Sequence, residues 1–160
     1  MTNQEQTVAL IAKEAGIISK KDFRKKIIKF QKQFEDWGAK KMKDFTKPVA
    51  DNEKLEHEFG EGTYIRKITM PAGHLYLSQI HKITHPFFVM EGEVTVISDE
   101  GVVKITAPYY SMTKPGTQRI LYIHKECVWI TVHPTDKKTV EEVVEDVIAK
   151  DYNDQKLKLT

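Results

Sequence analysis

His81 and His85 stand four residues apart at the head of an apolar run, Phe87 to Val96, that is broken by Glu91-Gly92. Imidazole is the commonest metal-ligating side chain, so a close pair is the beginning of a metal site. Along one straight strand the two would lie about 13 Å apart, too far to share an ion. A turn at Lys82-Ile83-Thr84 would remove that separation. The stretch is therefore the edge of a site or a packed strand with two histidines at its mouth. The other histidines have plainer readings. His57 and His74 read as exposed loop residues, and His124 alternates opposite Arg119, Leu121 and Ile123, so it faces out if Arg119 faces in. His133 shares a face with Cys127, Trp129 and Thr131 and precedes Pro134, which suits a satisfied structural histidine.

Other chemistries find less support. No Ser-His-Asp order, phosphate-binding glycine loop or HExxH stands out, so a nucleophilic enzyme is not indicated. The single cysteine, Cys127, excludes an internal disulfide and a CxxC motif, and it reads as a small buried hydrophobe. Tyr64, Tyr76, Phe87, Phe88, Tyr109, Tyr110 and Trp129 read as core or sheet-face packing. Tyr76 and Trp129 also have a second reading as pocket walls.

The elements that must position these groups fall into three zones of one domain, as 160 residues suggest. Ser19-Lys20-Lys21-Asp22 resembles a capping box, and Phe23, Ile27, Phe30, Phe34 and Trp37 then form one apolar helical stripe. A shorter helix carrying Val8, Ile11, Ala12 and Ala15 precedes it and breaks at Gly16. From about Gly60 to His133, short runs rich in Val, Ile, Thr, Tyr and Phe are cut by Gly, Pro and Asp, the pattern of an antiparallel β module. The expected strands are Thr63 to Met70, Leu75 to Ile80, Phe87 to Ser98, Val102 to Thr106, Tyr109 to Thr113, Arg119 to His124 and Cys127 to His133. Thr139-Val140-Glu141-Glu142 is a capping box, and Val140, Val143, Val144, Val147 and Ile148 share a face of a C-terminal helix. Residues 1–59 are thus a helical extension packed on the β module or a partner chain, 60–134 the β module, a sandwich or small barrel, and 135–160 the last helix and tail.

The β zone resembles the cupin family, whose first motif reads G-x5-H-x-H-x3,4-E-x6-G. Here Gly73, Gln79, His81, His85 and Gly92 keep that spacing throughout. Gln79 stands in the first histidine position and His85 in the glutamate position. "ITMPAG" before the motif and "FFVMEGEVTV" after it also look like the family's segments. Of the second motif, G-x5-P-x-G-x2-H-x3-N, the turn at Pro115-Gly116 survives, with Arg119 in the histidine slot. The resemblance implies a mainly β, cupin-like jelly-roll barrel flanked by N-terminal helices and a C-terminal helix. The run "TKPGTQRILYIHKECVWITVHPTD" is also similar to small cupin-like proteins of tailed phages and their hosts.

In that family four motif side chains converge inside the barrel on Fe, Mn, Ni, Zn or a similar ion. The resemblance therefore implies His81 and His85 as metal ligands, with Gln79 a weak oxygen donor. Arg119 argues against a metal. A guanidinium stays charged and repels a cation, yet grips a carboxylate or phosphate through two parallel hydrogen bonds. Gln79, His81, His85 and Arg119, with Tyr76 and Trp129, thus read as a pocket for a polar or anionic small molecule. The cofactor is none or a divalent metal. In a phage protein the ligand would be a sequestered metabolite or nucleotide. A metal-dependent dioxygenase, isomerase or lyase is the alternative function, and a structural or interaction protein of a phage particle a third.

Charge is distributed unevenly. Lys20 to Lys47 holds eleven Lys or Arg and four acids, net +7, while the remainder is net −5. The basic helix of residues 20–47 has three readings: a membrane surface, nucleic acid, or a solvated face whose apolar stripe packs on the β module. The stripe favours the third, or pairing of two chains into a dimer, since cupin-like barrels commonly dimerise. Glu141, Glu142, Glu145 and Asp146 of the last helix oppose its charge. No apolar run reaches the roughly 18 residues of a membrane span, and the N-terminus lacks a basic secretory n-region. A reducing, cytoplasmic setting is expected.

Overall fold

The computed structural model describes residues 3–36, 40–41, 53–154 and 157. Helices α1 (Asn3–Glu14) and α2 (Lys20–Asp36) come first, followed by the short β1 (Lys40–Lys41). The body consists of β2 (Lys54–Gly60), β3 (Thr63–Met70), β4 (Leu75–Leu77), β5 (Ile80–His81), β6 (His85–Ser98), β7 (Gly101–Thr106), β8 (Tyr109–Thr113) and β9 (Ile120–Pro134). The chain then forms α3 (Val140–Val147) and β10 (Ile148–Ala149).

Two long antiparallel strands, β6 and β9, run side by side from Phe87↔Thr131 to Ile97↔Ile120 and organise the rest. On its far side β6 carries β8 and then β7, while β9 carries β3 and then β4. Each long strand therefore serves two short ones by bending at its middle, which closes the sheet into a jelly-roll barrel. The bend lies in the register shifts around Glu91 to Val94. Gly92 sits there at φ +90, and a Cβ would press into the backbone carbonyl of Glu126 on β9. Both the conformation and the space demand glycine. Gly92→Ala should cost about 3–5 kcal/mol, since it combines backbone strain with a backbone clash. Urea unfolding checks it; a loss below about 1 kcal/mol would show that the bend tolerates a side chain.

Alternation fills the barrel. On β3 every second residue from Tyr64 to Met70 is buried, and Ile68, Met70, Phe87, Val89, Val94, Ile105, Ile123 and Trp129 meet in one core. A second core lies outside the barrel, where Phe23, Ile27 and Phe30 of α2 and Ile11 and Ala15 at α1 cover Leu77, Ile97 and Ile120. That contact explains why Ile120 is buried although it points away from the interior. α3 closes one end of the barrel, with Val143, Val147 and Ile148 packed on Tyr64.

The structure differs from the sequence reading at several places. The barrel sheet takes in Lys54–Gly60, paired along β3, so the β module begins before residue 60 and His57 lies on a strand. The two expected strands at 119–133 are one continuous β9, because the exposed His124-Lys125-Glu126 stretch is the bend and not a break. Leu75 to Ile80 divides into β4 and β5. α3 ends at Val147, and Ile148 leaves the helix to pair with His81. No ion pair joins α2 to the acidic α3 among the described residues; Lys20 pairs with Asp99 at 3.7 Å and Lys26 with Glu14. Phe34 and Trp37 of the expected stripe lie outside the described side chains. Ser19 and Thr139 cap α2 and α3 as their sequences suggest, Thr139 with a full capping box to Glu142.

Candidate functional site

His81 owes its position to three backbone attachments. It pairs with Ile148 of β10, its N–H donates to Thr117 O at 3.2 Å, and its carbonyl accepts from Gly116 N at 2.8 Å. Residues 82–84 then turn the chain, anchored where the Lys82 ammonium meets Glu145 O at 2.8 Å and Asp154 at 3.3 Å. A cation suits the carbonyl end of α3. The turn brings the His81 and His85 ring centroids to 4.5 Å, so the straight-strand separation does not apply.

His133, read from sequence as structural, completes a cluster: its ring lies 4.1 Å from that of His85 and 6.3 Å from that of His81. All three imidazoles are buried. His85 Nδ1 donates to Ile83 O at 3.1 Å, which leaves Nε2 as an unprotonated acceptor in a neutral ring. Burial first, then neighbouring imidazole or guanidinium charge, holds His85 down at about 4 and His133 at about 3. Burial, then His85, Arg119, His133 and Arg66, holds His81 well below its ordinary value. The chain of rings continues from His133 to Tyr64, stacked at 5.9 Å, whose hydroxyl lies 2.7 Å from His57 Nδ1. His57 is therefore part of the packing and not an exposed loop residue. His74 lies in the loop before β4, and His124 faces out.

Beside His81 is a cavity of about 40 Å³ whose walls include Gln79, Arg66, Arg119, Thr131, Trp129 and Leu121. Two guanidinium groups border it, Arg66 at 5% and Arg119 at 9% exposure. Burial lowers each to about 10, so both remain charged at neutral pH. Arg119 is held from behind. Its N–H donates to Ser78 Oγ at 2.8 Å, Gln118 Nε2 donates to Ser78 O at 3.0 Å, and the Tyr152 hydroxyl donates to Gln118 Oε1 at 2.7 Å. Arg24 of α2 covers the Tyr152 ring at 4.6 Å, which ties the basic helix to this support. The guanidinium of Arg119 donates to Thr113 Oγ1 at 3.1 Å and lies over Phe87 at 4.9 Å and Trp129 at 6.0 Å. No carboxylate pairs with Arg119 among the described residues. Thr131 Oγ1, on the same cavity, is buried without a hydrogen-bond partner.

Gln79, His81, Arg119 and Trp129 are thus brought to one cavity, with His85 touching it through His81. Tyr76 is not: it is fully buried in the barrel core, its hydroxyl 3.4 Å from Glu53. Arg66 and Thr131 line the same cavity and were not among the residues singled out from the sequence. Their signal was present in the alternation, since Arg66 shares a face with Tyr64, Ile68 and Met70, and Thr131 lies between Trp129 and His133. Cys127 is buried, and burial pushes its thiol up to about 12, which removes it as a nucleophile.

A divalent cation fits this arrangement poorly. No group of three His, Cys, Asp or Glu side chains is disposed to hold an ion among the described residues. The cavity is bordered by two fixed positive charges where a cation site needs anionic or neutral donors. The disagreement lies in the chemistry of the donor set, Gln79 and Arg119 above all.

No family profile and no curated protein matches the sequence. Among solved structures, an RmlC-like cupin from Shewanella frigidimarina is 19% identical, covering 57% of this chain and 84% of its own, at TM-score 0.47. An RmlC-like cupin with a double-stranded β-helix fold from Methanocaldococcus jannaschii is 14% identical, over 55% and 84%, at 0.45. A cupin superfamily protein from Desulfitobacterium hafniense is 8% identical, over 56% and 84%, at 0.46. No described helix is long and apolar enough to cross a membrane. The paired long strands, the glycine bend and the intact first-motif spacing make this chain a cupin-like jelly-roll barrel.

Proposed function

We propose that this barrel binds a small polar or anionic molecule at Arg119, without a catalytic metal. The observation that carries the reading is the guanidinium of Arg119: nine-tenths buried, charged, and paired with no carboxylate of the described chain. A buried charge is costly unless compensated, and an oxyanion seated against it supplies the compensation. Thr131 Oγ1 and Arg66 border the same space, and Trp129 and Leu121 offer apolar walls. A volume of about 40 Å³ holds little more than one water at ~30 Å³, so the inner chamber accepts a carboxylate or similar head group and not a whole nucleotide. Ser78 and Gln79 also line a larger cleft of about 720 Å³ between α2 and α3, where the remainder of a longer ligand finds room.

Thermal unfolding with formate, acetate or phosphate tests this. A ligand at 100 times its Kd stabilises by about 2.7 kcal/mol, worth ~5–10 °C in a domain of this size. Thr131→Val should weaken the response several-fold. Native mass spectrometry of the purified protein gives the opposing outcome. Stoichiometric Fe, Mn, Ni or Zn that disappears in His81→Ala would overturn the metal-free reading.

A further inference from the structure

Arg119 has a second side. Beyond its guanidinium, toward β7 and β8, lies a separate chamber of about 90 Å³ bordered by Arg119, Glu100, Ser98, Ser111, Thr117 and Tyr109. Its floor is the buried cation and its rim carries one carboxylate, Glu100, from the β6–β7 turn. The apolar side chains of Val96 and Ile105 also line it.

We infer that this chamber binds a small zwitterion, an α-amino acid with a short side chain. The carboxylate is matched by Arg119, whose planar fork takes two oxygens at once. The ammonium is matched by Glu100, with hydroxyls of Ser98, Ser111 and Thr117 as further acceptors. Glu100 now meets the Lys114 ammonium at 2.7 Å, but both side chains are more than half exposed. A pair of that kind is worth about 0–1 kcal/mol, so a ligand ammonium can displace Lys114 or share the carboxylate with it. The volume equals about three waters at ~30 Å³ each, which admits glycine or alanine and excludes long side chains. A simple oxyanion satisfies Arg119 but makes no use of Glu100, and the rim charge is what separates this site from the inner cavity. The two sites share Arg119, but this one does not require the inner cavity to be filled.

Calorimetric titration with glycine, alanine, acetate and methylamine, on the wild type, Glu100→Gln and Thr131→Val, is the test. The expected result is alanine binding at least ~10-fold tighter than acetate, as a second matched charge supplies roughly 1.4 kcal/mol. Glu100→Gln, an exposed substitution, should remove the advantage of alanine over acetate without weakening acetate, since it takes away a negative charge near Arg119. Thr131→Val should leave alanine unchanged while weakening acetate in the inner cavity. Equal affinity of wild type for alanine and acetate, or an alanine affinity indifferent to Glu100→Gln, would overturn the zwitterion site. An alanine response without any acetate response would instead sink the inner-cavity reading and leave this one standing.

Discussion

Replacing Arg119 by Met is expected to make the ligand-free protein more stable by about 1–2 kcal/mol and to abolish its stabilisation by oxyanions. The guanidinium is nine-tenths buried and, among the described residues, has one side-chain hydrogen bond, to Thr113 Oγ1. Methionine keeps an unbranched apolar stem against Phe87 and Trp129 and removes the desolvated charge, a change that other buried charges have shown to be neutral or stabilising. The stranded Thr113 hydroxyl reduces the gain by about 1 kcal/mol. Urea unfolding with and without acetate measures both effects. A variant that is much less stable than wild type even without ligand would show that Arg119 is a structural residue and not a binding one.

Acid should weaken the protein steeply below pH 6.5, because His85 and His133 are held neutral in the fold. Their folded values, about 4 and about 3, lie below the ordinary 6.5 of an unfolded chain. Between those limits the unfolded state binds more protons. Stability is therefore complete above pH 6.5 and is lost as pH falls toward 4. Each histidine contributes a slope of about 1.4 kcal/mol per pH unit within its window. His133→Phe should flatten the profile by about one such slope, while His124→Gln, on the outer face, serves as the control. The measurement is unfolding free energy between pH 7.5 and 4.5. An equal slope in wild type and His133→Phe would show that the cluster is not held neutral.

The mutual position of the three imidazoles also shows where sequence reading succeeds and where it stops. Period-two alternation placed β3 and β8 at their ends, Thr63 to Met70 and Tyr109 to Thr113, since each run is bounded by Gly, Pro or charged turn residues. Capping signals marked the starts of α2 and α3 for a similarly local reason: a Ser or Thr hydroxyl three residues before an acid satisfies the first free N–H groups. The spacing from Gly73 to Gly92 carried the resemblance that implied the barrel, and the bend at Gly92 depends on one residue having no Cβ.

Non-local arrangement was a different matter. β9 was split in two because His124, Lys125 and Glu126 look like a turn, and only the pairing with β6 shows that they continue a bent strand. β2 was overlooked because Lys54–Gly60 lies at the sheet edge, where one side faces solvent and the alternation is weak. His133 could be assigned to a face from sequence, but not to a neighbour 4.1 Å away that is 48 positions earlier in the chain. Arg66 and Arg119 both sit on inward positions, yet alternation cannot say that two guanidiniums, one on β3 and one just before β9, border one cavity, nor that Arg119 has a chamber on each side. By itself, the sequence determined the β module and its capped helices through local pattern, while the barrel and the candidate residues Gln79, His81, His85 and Arg119 followed from the resemblance of the motif spacing. Only the tertiary structure decided which charges are buried together, because desolvation and pairing depend on what distant strands bring alongside.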